Sequence, residues 1–205
     1  MVADEAARDL RLFVAFPVAA AVKVALDGAV APLRTRYDRL GWTRPDGWHV
    51  TIAFLGRVAA GRVSEVAAAA GGAVAAVGAV AAVGAGLVDG RLGLRLGEAG
   101  QFGGRVLWVG VEDDPSGLVT EVGGAVQRAL VGAGFAVDER PVHPHLTLAR
   151  ARNRGRLPVE VVGAVPAVEA AWEVPGAVLY RSVLGRGPAR YEVVAELPLV
   201  GVGKS

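Results

Sequence analysis

His49-Val50-Thr51-Ile52-Ala53-Phe54-Leu55-Gly56 and His145-Leu146-Thr147-Leu148-Ala149-Arg150 are two apolar stretches that each open on His-x-Thr, in a chain with only one further histidine, His143. In an extended strand, residues i and i+2 share a face. Each tripeptide therefore sets an imidazole beside a hydroxyl on one side and turns Val50 or Leu146 toward a core. Brought together, two such pairs would supply an acid, a base and two hydrogen-bond donors for an anion.

The surrounding sequence alternates strands and helices. Residues 10–16, Leu-Arg-Leu-Phe-Val-Ala-Phe, read as a first strand closed by Pro17, and residues 18–33 have the apolar spacing of a helix ending near Pro32. The turn-rich residues 41–47 lead into a strand over 48–55 that Gly56 stops, and a second helix follows over 61–83. Residues 87–96 and 105–111 read as strands joined by the glycine-bearing 97–104.

The second half repeats this grammar. Asp114-Pro115-Ser116 caps a helix running to about Leu130, Gly132 and Gly134 end it, and residues 145–151 form the second His-x-Thr strand. Residues 152–158 are a basic loop and 159–168 a short helix, with 174–184 and 190–197 forming a closing hairpin. The expectation is an α+β fold in a single domain over residues 1–205. It has two pseudo-symmetric lobes, each an antiparallel sheet with helices outside, around a central cleft.

Composition bounds the rest. The chain has 205 residues, 53% of them apolar, enough to bury a substantial interior. The net charge is only +2, and lysine occurs just at Lys23 and Lys204, so net charge argues little about partners. With no cysteine there are no disulfides or thiolate metal sites, which fits a reducing, cytoplasmic setting. The acidic N-terminal stretch has none of the character of a secretory signal. Residues 66–88 carry no charge and are long enough in principle to span a bilayer, but they are nearly all Ala, Gly and Val without an aromatic belt. We expect a buried or half-buried helix there and no membrane association. Its glycines weaken helix propensity by roughly 1 kcal/mol each where they fall inside, so its stability has to come from packing.

The chemistry follows from the paired motifs. Imidazole titrates near pH 6.5, so near neutrality one histidine can be neutral and the other protonated at little cost. At a cyclic phosphodiester, the neutral ring takes a proton from water while the protonated ring gives one to the departing sugar oxygen. Attack and departure are in line, which places base and acid on opposite sides of phosphorus. Two strands facing across a groove provide that placement, and the hydroxyls of Thr51 and Thr147 can donate to non-bridging oxygens. The alternative use of His49, His143 and His145 as metal ligands lacks a His-x-x-x-His, a cysteine or a suitably spaced acid, so no metal and no cofactor are expected.

These residues, with Arg11-Leu12-Phe13-Val14-Ala15, Gly100-Gln101-Phe102, the 105–111 strand, Arg140-Pro141-Val142-His143-Pro144 ahead of the second motif, and Leu179-Tyr180-Arg181-Ser182 with Tyr191-Glu192-Val193, resemble the two-histidine phosphoesterases. Within them the likeness is to the RNA 2′,3′-cyclic phosphodiesterases, also called 2′-5′ RNA ligases. The resemblance implies metal-independent opening of a 2′,3′-cyclic phosphate to a 2′-phosphate, with RNA ends or cyclic nucleotides as substrates. It also implies His49 as general acid toward O3′, His145 as general base for water, and Thr51, Thr147 and Arg150 as phosphate ligands.

Strict alternation from His145 puts residue 150 on the wrong face, so Arg150 requires a bulge, a twist or a strand end to reach phosphate. The same parity assigns Phe54 to the core. Arg140, Arg152, Arg154 and Arg156 are candidates for a basic rim along RNA. Related readings are a ligase forming a 2′-5′ bond, an esterase for ADP-ribose cyclic phosphate or 2′-5′ oligoadenylate, and a non-catalytic RNA-end binding module. A monomer is expected.

Overall fold

The computed structural model describes residues 9–84, 87–113, 117–183 and 189–200. Nine strands form two antiparallel sheets. The first contains β1 (Asp9–Pro17), β3 (His49–Ala59), β8 (Gly176–Val183) and β9 (Arg190–Pro198), in the order β3-β1-β8-β9. The second contains β2 (Gly41–Trp42), β4 (Leu92–Phe102), β5 (Val106–Glu112), β6 (His145–Arg150) and β7 (Ala171–Val174), in the order β2-β6-β5-β4-β7. Helices α1 (Ala20–Arg36), α2 (Val63–Val83), α3 (Leu118–Gly132) and the single turn α4 (Val161–Ala164) complete the fold. The α+β class and the two-lobe arrangement are as expected.

The lobes are not successive halves of the chain, however. The first sheet takes β1 and β3 from the N-terminal half and the hairpin β8–β9 from the end. The chain crosses between sheets repeatedly, and α3 shows this best: both strands that flank it, β5 and β6, belong to the second sheet, while the helix packs against α2 and β3 of the first.

Several element boundaries depart from the sequence expectations for local reasons. Pro32 lies inside α1 rather than ending it, and Arg34 and Arg36 occupy the last turn, where cations suit the helix dipole. Gly56 does not stop β3. With φ at +67° it takes up a bulge, and the strand runs on to Ala59. β4 likewise extends through the predicted linker to Phe102, and the turn is confined to Gly103 and Gly104, both at positive φ. The capping sequence expected at residues 114–116 lies outside the described residues, as does most of the connection between the two strands of the expected closing hairpin. At the start of α3, Asp113 Oδ2 accepts from the backbone N–H of Val119. The expected 159–168 helix is reduced to α4, and the short edge strand β7 has no counterpart in the sequence reading because its four residues carry too little periodic signal.

Helix α2 shows how an Ala/Gly/Val segment is held. Together with the 3-10 turn Ala60–Arg62 before it, it is the one helix among the described residues long and apolar enough to cross a membrane, with a mean hydropathy of 2.1 in its most apolar window. Its buried face is Val66, Ala70, Val74 and Gly78, four residues apart, set against β8, β9 and α3. Gly78 is required by close approach, because a Cβ there would stand 1.8 Å from the carbonyl oxygen of the buried Leu199. Gly72, on the exposed side, has nothing within 4 Å of the same position.

The two glycines therefore predict opposite signs. Gly78→Ala should destabilise by about 1–3 kcal/mol through overpacking, although alanine is the better helix former. Gly72→Ala should stabilise by about 0.5–1 kcal/mol. Urea midpoints of the two variants check this, and equal shifts in one direction would contradict the packing of α2 against residue 199.

Candidate active site

Both His-x-Thr motifs reach the same cleft through the same irregularity. In β3, Ala53 pairs with Val14 and Thr51 with Ala15, which leaves Ile52 as the extra residue of a bulge. In β6, Ala149 pairs with Leu107 and Thr147 with Trp108, which leaves Leu148 as the extra residue. Each bulge falls three residues after its histidine. As a result two consecutive residues are buried, Ile52 and Ala53 in one strand and Leu148 and Ala149 in the other, and the residue five after each histidine returns to the histidine's face.

This supplies the bulge that Arg150 required, and it corrects the assignment of Phe54. Phe54 is not a core residue: it is 53% exposed and lines the cleft. Simple alternation fails identically in both strands, so Phe54 and Arg150 occupy equivalent positions in the two lobes.

The cleft has a volume of about 870 Å³ and is lined by His49, Thr51, His145, Thr147 and Arg150 together. Each histidine is set against aromatic rings of its own lobe. His49 packs 4.7 Å from Phe13 and edge-on at 4.9 Å from Tyr191, centroid to centroid. His145 meets the edge of Phe102 at 4.9 Å and lies 6.2 Å from Trp108. Trp108 in turn sits flat against Gly100, where any Cβ would be 2.3 Å from the indole ring.

His145 Nδ1 lies 2.6 Å from the His143 carbonyl oxygen, two residues upstream, and the Gly47 backbone, two residues before His49, favours that ring's charged form. A carbonyl can only accept, so Nδ1 of His145 carries the proton and the neutral ring keeps its lone pair on Nε2.

Burial dominates the titration of both rings. It pushes His49 down to about 4, opposed by the Gly47 carbonyl and assisted by the positive charges of Lys23, His145 and Arg150. His145 is also lowered, by burial first, against the stabilising His143 carbonyl and with help from the charges of His143 and Arg150. Arg150, in the lining of the same cleft, is the last-named of the charges that lower each ring.

Among the described residues, no three His, Asp or Glu side chains stand together as a metal-binding group. His143 faces the cleft with its ring 4.8 Å from Trp108. Of the suggested basic rim, only Arg140 lines the cleft, and its guanidinium is paired with Asp138, whose carboxyl it holds below the usual carboxylate range. Phe13, Phe102, Tyr191 and Gln127 line the cleft without having been singled out as site residues. Phe13, Phe102 and Tyr191 lie in the stretches that carry the family resemblance, whereas nothing in the sequence marked Gln127.

The profile of the 2′-5′ RNA ligase superfamily matches residues 22–185. An RNA 2′,3′-cyclic phosphodiesterase of Geobacillus stearothermophilus is 30% identical over 191 residues, 92% of this chain and 57% of that protein. One from Escherichia coli strain K12 is 29% identical over 147 residues, 71% of this chain and 72% of that one. The chain thus spans little more than half the length of the first of these relatives.

Among solved structures, E. coli LigT complexed with 3′-AMP superposes with a TM-score of 0.69 at 25% identity, covering 94% of this chain and 99% of that chain. TT0787 of Thermus thermophilus shares the fold with a TM-score of 0.70 at 22% identity, covering 94% of this chain and all of that one. The sequence profile extends over most of the chain and over both histidine strands, and the chain belongs to the 2′-5′ RNA ligase superfamily.

Proposed function

We propose that this protein hydrolyses RNA or nucleoside 2′,3′-cyclic phosphates to 2′-phosphates without a metal ion, by paired histidine acid–base catalysis. The observation that carries this reading is the convergence of two bulged His-x-Thr strands on one cleft, with Arg150 in its lining. The similarity to the phosphodiesterases of G. stearothermophilus and E. coli supports it.

In the proposed reaction, His145 accepts a proton from water at Nε2, the nitrogen left free by its bond to the His143 carbonyl. His49, protonated, gives its proton to O3′ as the P–O3′ bond breaks. Thr51, Thr147 and Arg150 donate to the non-bridging oxygens, where the charge is greatest in the transition state. Phe54 offers an exposed ring in the same cleft for the nucleobase. The site would act in the cytoplasm as a monomer on RNA ends or small cyclic nucleotides.

The depressed titration of His49 shapes the pH dependence. Catalysis needs His49 protonated and His145 neutral, whereas burial favours the neutral form of both. In the free protein the competent population is therefore greatest below pH 6.5 and falls tenfold per pH unit above the higher of the two values. The phosphate anion favours imidazolium, so it raises His49 in the complex and carries the optimum upward.

Steady-state kinetics on a nucleoside 2′,3′-cyclic phosphate test these assignments. His49→Ala and His145→Ala should each lower kcat by on the order of 10² to 10⁴. Thr51→Ala and Thr147→Ala should cost about 10 to 10³. Full activity in either histidine variant would overturn the mechanism. For the parent protein, kcat/KM should peak below pH 6.5, with the kcat optimum at higher pH. A kcat/KM that stays level from pH 6 to 8 would contradict the depressed histidines.

A further inference from the structure

The two histidines stand on different sheets, so something must fix their separation, and α3 is built to do so. The helix is flanked in sequence by strands of the second lobe yet packs against β3 of the first. Its face toward the cleft carries Gly123 and, one turn later, Gln127. A Cβ on Gly123 would stand 2.5 Å from Val142 Cγ2 and 3.4 Å from Ile52 Cβ, so its absence lets the helix approach both lobes' segments at once.

The Gln127 side chain makes the link. Its Nε2 lies 3.3 Å from the carbonyl oxygen of Ile52 and 3.3 Å from that of Arg140, one acceptor for each amide hydrogen. Ile52 is the bulge residue three places after His49, while residues 140–142 lead through His143 directly into His145. The same segment is fastened a second time, where the Asp138 N–H donates to the Phe54 carbonyl at 3.2 Å.

We propose that Gln127, seated by Gly123, is a positioning residue that clamps the bulge of the His49 strand to the entry of the His145 strand and so sets the distance between acid and base. The inference rests on the hydrolytic role proposed above. In-line displacement needs its acid and base at fixed places on either side of phosphorus, and misplacement by about 1 Å can cost on the order of 10² in rate. Gln127 touches neither reacting atom. Its effect is on the geometry of the pair.

The absence of cysteine from the chain makes the separation measurable. Spin labels on cysteines placed at the exposed Glu98 of β4 and Glu196 of β9 report the distance between the lobes. The parent should give one narrow distribution. Gln127→Met, close in size but without a donor, should broaden it and lower kcat about tenfold or more, with KM held within about twofold. Gln127→Glu, whose carboxylate can only accept at neutral pH, should lose at least as much, and Gln127→Asn, one methylene short, gives an independent variant if either fails to fold.

Unchanged kcat and an unchanged distribution in a folded Gln127→Met protein would overturn the clamp. If the parent turns over no cyclic phosphate, the proposed function falls while the distance distributions still decide the clamp.

Discussion

A strand that is to line a cleft with His, Thr and a third functional side chain, while anchoring the lobe's core, cannot keep strict alternation. Both histidine strands meet this constraint in the same way, with one extra residue at the third position after the histidine. The bulge buries two neighbouring apolar residues and rotates the fifth residue back into the cleft. The lobes then diverge chemically at equivalent positions, with an aromatic ring at Phe54 and a guanidinium at Arg150. One wall of the cleft therefore presents an aromatic ring and the other a guanidinium, the two groups the proposed reaction assigns to base and phosphate, and both placements depend on backbone geometry.

Burial of the imidazoles has a cost and a use. Each ring is packed against aromatic neighbours that exclude water and disfavour the charged form, and each is offset in part by a carbonyl two residues upstream. For His145 that carbonyl also fixes the tautomer, leaving the lone pair of the neutral ring on Nε2. A site of this kind favours protonation of its acid when an anion is close by. In the proposed reaction, charge on the substrate is thus part of the catalytic arrangement as well as a handle for binding.

The fold class and the strands that meet at the cleft were legible in the sequence, and the path of the chain between the sheets was not. The paired His-x-Thr tripeptides could be read because the period-two rule holds over the first three residues of each motif. It failed at Phe54, where nothing in Ile52-Ala53-Phe54 distinguishes a bulged strand from a regular one, and it left Arg150 unplaced for the same reason. The interleaving of the lobes was hidden because local periodicity reports which element forms and not which sheet receives it. The contribution of Gln127 lies in contacts with Ile52 and Arg140, each remote or irregular in sequence, and a lone glutamine in an amphipathic helix carries no local mark of them. Gly78 was read as a weakness of α2, whereas its contact with residue 199 makes it a fitted part of the core.

The central claim is a direction of bond cleavage, with O3′ leaving under protonation by His49 and water activated by His145. It is tested most directly by incubating the purified protein with a nucleoside 2′,3′-cyclic phosphate in EDTA and separating the 2′- from the 3′-monophosphate by chromatography. The expected result is the 2′-monophosphate as sole product, formed on the order of 10² to 10⁴ more slowly with His145→Ala. Formation of the 3′-monophosphate, or turnover that ceases in EDTA and returns with a divalent cation, would contradict it.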